Sequence, residues 1–75
     1  MSIWMVIYIA GKVAATLGPV PADMAGCQAV LPHYMARIDY DKVQQMGYSK
    51  HEVSMKCVEH EGRPPLAKFE KTSGA

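Results

Sequence analysis

The chain has 75 residues, enough for one hydrophobic core and not for two. Hydrophobic residues make up 49% and charged residues 20%, which argues against a wholly disordered chain. The formal net charge is +1, with basic residues spread among acids, so the clustered basic patch of a nucleic-acid-binding surface is not expected.

The first element is the run Ile3-Trp4-Met5-Val6-Ile7-Tyr8-Ile9, rich in β-branched and aromatic residues that suit a pleated surface. It is apolar on both faces, which predicts a central strand covered on each side or covered on one side and left as a contact surface on the other. It is also the longest apolar run, extending to Ala10, and Gly11-Lys12 ends it far short of the roughly 20 residues a membrane span needs. No basic residue precedes it, so a cleaved signal is not expected and the default location is cytoplasmic: host cytoplasm, or the virion if the chain is phage-encoded. Ala10-Gly11-Lys12 reverses the chain, and Val13 to Leu17 returns as the second strand of a hairpin. Gly18-Pro19 is expected to stop it, since proline donates no ladder hydrogen bond.

Next comes a helical pattern from about residue 23 to residue 38. Asp23 supplies an N-cap, and Met24, Cys27, Leu31, Tyr34 or Met35, and Ile38 recur at steps of three and four. Gly26 and Pro32 oppose it, and Pro32 predicts a bend or a break. A further helical turn or two covers Asp41 to Met46, with Gly47 as a left-handed cap.

His51 to His60 alternates, with Val53, Met55 and Cys57 on one face and Glu52, Ser54 and Lys56 on the other: a half-buried strand. Residues 63–75 read as an extended, frayed tail in which Leu66 and Phe69 are the only anchors. The prediction is an α+β fold: one ββαβ domain over residues 1–62, with a three-stranded antiparallel sheet in the order 2-1-3. One bent helix packs on one face.

In that arrangement Cys27 and Cys57 point into the same interface. They read either as two buried thiols of a reducing cytosol or as a disulfide closing a loop of about 30 residues. No CxxC motif supports thioredoxin-type chemistry. Cys57 and His60 are the only close pair of metal-type donors, and they lie on opposite faces of a strand, so no metal site and no cofactor are expected. Asp39 and Asp41 around Tyr40, and Glu59 and Glu61 around His60, read as solvating charges rather than acid–base pairs. No catalytic motif occurs and no enzymatic activity is expected.

The aromatic content of the first strand carries the functional reading. With Met5, Ile7 and Ile9 toward the helix, Trp4, Val6 and Tyr8 face the other way as a protein-contact surface, unless the C-terminal segment folds back over them. The expected partner is another protein or a second copy, with no nucleic acid and no membrane. A Trp-containing hairpin, a helix with one Cys and a closing strand with another span residues 3 to 60. This layout resembles that of many short proteins carried by bacteriophages and prophages. The resemblance implies no activity and no site residues. It frames the expected function as a non-catalytic interaction module, such as an inhibitor of a host protein. The alternatives are a capsid-decorating or tail-associated subunit, and a thiol- or metal-responsive domain using Cys27 and Cys57.

Overall fold

Three antiparallel strands, β1 (Ser2–Ile9), β2 (Lys12–Val20) and β3 (Val53–His60), form one sheet in the order β2-β1-β3. The computed structural model describes residues 1–68 and places α1 (Met24–Met35) and α2 (Tyr40–Gln45) on the same face of that sheet. The α+β class and the strand order are those the sequence predicts.

β1 is central because its residues are apolar toward both faces. Trp4, Met5, Val6 and Ile9 are all buried. The reversal into β2 uses Ala10 and Gly11 at φ 53° and 79°, both left-handed, between the paired Ile9 and Lys12. A two-residue turn of this hand matches the natural twist of the strands it joins.

β2 does not stop at Gly18-Pro19 but continues to Val20. The register explains how. Ile3 pairs with Val20 and Met5 with Leu17, so β2 uses one more residue than β1 over this stretch and bulges at Gly18 and Pro19. The Gly18-Pro19 peptide is cis. β2 is an edge strand, where a proline is tolerated at a bulge.

α1 opens as expected, with the Asp23 carboxylate accepting from the Gly26 N–H at 2.8 Å. Its inward stripe is Met24, Cys27, Leu31 and Met35, of which Cys27 is fully buried and the others half-buried. The helix runs through Pro32 and ends after Met35, short of the expected Ile38. Proline removes only the bond to the carbonyl of Gln28, an exposed residue that water can serve. The actual end is a tightened turn in which Ala36 and Arg37 donate to Pro32 and Tyr34.

α2 is a separate helix, capped by the Asp39 carboxylate on the Lys42 N–H at 3.1 Å and followed by Gly47 at φ 94°. Its buried Val43 meets Ile9 and Val53 in a core cluster at this end of the sheet. Lys50–Glu52 forms a short 3-10 turn where the strand was expected to begin, held by a Ser49/Glu52 capping box. From Val53 on, β3 alternates as read, with Val53 and Met55 buried toward the helices.

A disulfide joins Cys27 of α1 to Cys57 of β3. The two are separated by 30 residues, and closing such a loop is worth about 3–4 kcal/mol in the chain-entropy account.

Candidate functional site

The face of the sheet away from the helices is covered. Trp4 is 6% exposed and Val6 1%, so the expected contact surface of Trp4, Val6 and Tyr8 is corrected: its first two members are core, and Tyr8 is half-buried. The cover is the segment that follows β3, expected as the start of a free tail. His60 Nδ1 sits 2.7 Å from the Gly62 carbonyl oxygen at the turn. Arg63 then lies over the Trp4 ring, 5.4 Å from its centroid, and its Nη1 donates to Thr16 Oγ1 at 3.2 Å. Pro64 is buried. The Ala67 N–H donates to the Val13 carbonyl at 2.9 Å. Residues 63–67 therefore form a strap from the end of β3 across to β2. The anchors differ from those expected. Leu66 is 56% exposed, and Phe69 lies outside the described residues.

Exposed apolar surface instead collects on the helix face. α1 packs mainly on β3 and touches β1 only lightly, so it leaves the Leu17 end of β2 largely uncovered on that face. The result is a groove of about 260 Å³ with Met5 on its floor. One wall is Val30 and Tyr34 of α1, and the other is Leu17 and Val20 of β2 with Pro21 beyond. Leu17, Val30 and Tyr34 are 43%, 41% and 38% exposed. Along the same face, Ile7, Ala14, Ala15, Ile38 and Met46 line a second hollow of about 370 Å³ between the sheet and α2.

The groove's electrostatics are as distinctive as its shape. From Val13 to Ala36 the chain carries one residue among Asp, Glu, Lys and Arg, out of 15 in the whole sequence. That residue, Asp23, is engaged as the α1 cap. The two elements forming the walls are thus almost free of charge, as the centres of protein interfaces tend to be. The stripe read from helical spacing leaves Val30 out and the hairpin reading gives Leu17 no face, so only the absence of charge around them marks the groove in the sequence.

The remaining candidates separate cleanly. Cys27 and Cys57 are brought together, and as a disulfide they offer no thiolate to a metal. Among the described residues no group of three His, Cys, Asp or Glu is placed to hold a metal ion. Asp39 is occupied as a helix cap. Glu59 and Glu61 flank His60 on exposed surface. No helix among the described residues is long and apolar enough to cross a membrane. Comparison with protein-family models, with curated proteins and with solved structures gives no match to this chain.

Proposed function

We propose that this chain is a non-catalytic protein-binding module whose contact surface is the groove between α1 and β2. The observation that carries this reading is the exposure of Leu17, Val30 and Tyr34 around a floor of Met5, on walls almost without charge. A partner that fits it presents an uncharged apolar ridge, because a charged group seated there would lose water without gaining a counter-charge. The layout likeness to short phage-carried proteins makes a host protein the natural partner, held and inhibited by occupation of this groove.

A structural subunit of a particle or larger complex is the second reading. The disulfide favours it, since such bonds persist outside a reducing cytosol. The same observation moves the proposed location from the cytoplasm toward an oxidising setting or a particle surface.

Affinity capture from the native source tests the site, with the wild-type chain set against the double variant Leu17→Lys, Val30→Glu. The expected result is a partner retained by the wild type and lost by the variant. A partner retained equally by both would place the contact elsewhere.

A further inference from the structure

We propose that the Cys27–Cys57 disulfide is a latch that holds the groove in shape, and that its two-electron reduction releases α1 and dismantles the binding surface while the sheet stays folded. This rests on the groove as the binding site and adds its regulation.

α1 is weakly held by everything except the disulfide. Cys27 is its one buried residue, and Met24, Leu31 and Met35 are only half-buried. The helix has 12 residues, near the lower limit for an isolated helix, and it contains both Gly26 and Pro32. Its contacts fall chiefly on β3, the strand that carries Cys57. The sheet, by contrast, is braced from its other side by the strap over Trp4, and α2 anchors separately through Val43. Loss of α1 therefore leaves a hairpin, a third strand, α2 and the strap in place.

The latch is also built into the groove. Cys57 pairs in register with Met5, the groove floor. Val30 stands one turn from Cys27 along α1, so the wall formed by Val30 and Tyr34 pivots about the disulfide. Cleaving it frees the wall from the floor.

Access selects the route. Cys27 is 0% exposed and Cys57 is half-buried, so an incoming thiolate bonds to the Cys57 sulfur. The S–S bond breaks, and the Cys27 sulfur leaves as a thiolate and takes up a proton. The second thiol of a dithiol reductant then attacks the mixed disulfide and releases Cys57. Two electrons and two protons pass from the dithiol, which ends as its own disulfide.

The test is amide hydrogen exchange on the free 75-residue chain, before and after dithiothreitol, with reduction verified by a two-dalton gain in intact mass. Because no partner is present, the latch is judged independently of whether the groove binds anything. The expected result is exchange in Met24–Met35 faster by on the order of several hundred-fold, the scale of the loop-closure contribution. The β1 amides of Val6 and Ile7 should keep protection well above that of α1. Unchanged exchange in α1 would show that packing alone holds the helix and would sink the proposal. Equal loss of protection in α1 and β1 would sink it too, by making the disulfide a condition of the whole fold. Failure of dithiothreitol to add two daltons under native conditions would overturn it as well.

Discussion

The ring of Trp4 lies directly against Gly18: a methyl group added to that glycine would stand 3.1 Å from the ring. The same methyl would meet the Val20 backbone nitrogen at 3.0 Å. The bulge in β2 and the burial of the only tryptophan are thus one feature. The extra residue in β2 brings a side-chain-free position under the indole, and the strap closes over it from outside.

Gly18→Ala should therefore be costly. The residue sits at φ 143°, where L side chains are strained, and the Val20 contact is with backbone, which has little freedom to move away. Strain and contact together predict a loss of about 2–3 kcal/mol. Urea unfolding reads this as a drop in midpoint at constant slope. A loss below about 0.5 kcal/mol would show that the bulge relaxes freely, and the close fit to Trp4 would not constrain the fold.

Ala10 offers the opposite case. It is the one non-glycine residue at positive φ among those described, and it occupies the first position of the hairpin turn at φ 53°. Asparagine tolerates that region much better than alanine. Ala10→Asn keeps the backbone N–H that donates to Glu52 at 2.9 Å. It should raise stability by about 0.5–1 kcal/mol, visible as a higher urea midpoint. No gain, or a loss, would contradict the assigned turn geometry.

Arg63 tests the strap, and the chain supplies its own probe because Trp4 is its single tryptophan. Arg63→Ala removes the guanidinium over the ring and the donor to Thr16. The expected outcome is a red shift of the emission as water reaches the indole, with a loss of about 1 kcal/mol. Arg63→Lys should fall between, since lysine keeps the charge and loses the planar stack. Emission unchanged in Arg63→Ala would mean that the neighbouring segment, including buried Pro64, covers Trp4 without the arginine.

The strands, the α1 cap and the pairing face of Cys27 and Cys57 are legible in the sequence because each rests on a local periodicity or a local hydrogen bond. Two other features are decided by tertiary context. Pro19 does not end β2, because an edge strand accommodates a bulge that a propensity argument cannot place. Trp4 is not a contact residue, because Arg63 and Pro64 come from a segment whose composition reads as a polar tail. An apolar face predicts only that something covers it, and what covers it depends on where the chain returns. The groove is not legible in the spacing for the complementary reason. The stripe of α1 predicts burial, but a helix lying mainly over β3 leaves the Leu17 end of β2 uncovered.

These two surfaces are distinguished most directly by comparing what each contributes to stability and to binding. Trp4 is buried on all sides, so Trp4→Ala should cost about 3 kcal/mol or more, from lost transfer energy and the cavity left behind. Leu17 and Val30 are about two-fifths exposed and face a groove rather than a packed interior. Leu17→Lys and Val30→Glu should each change stability by less than about 1 kcal/mol, since the long side chains reach water from the rim. The binding effects should run the other way. A charge on either wall must be desolvated when an apolar ridge enters, at a cost of several kcal/mol, so partner capture should fall while the fold persists. Urea unfolding and capture, measured on the same three variants, separate the roles. A groove variant that unfolds like Trp4→Ala would make Leu17 or Val30 a core residue in its own right, and the exposed groove would lose its standing as the binding surface.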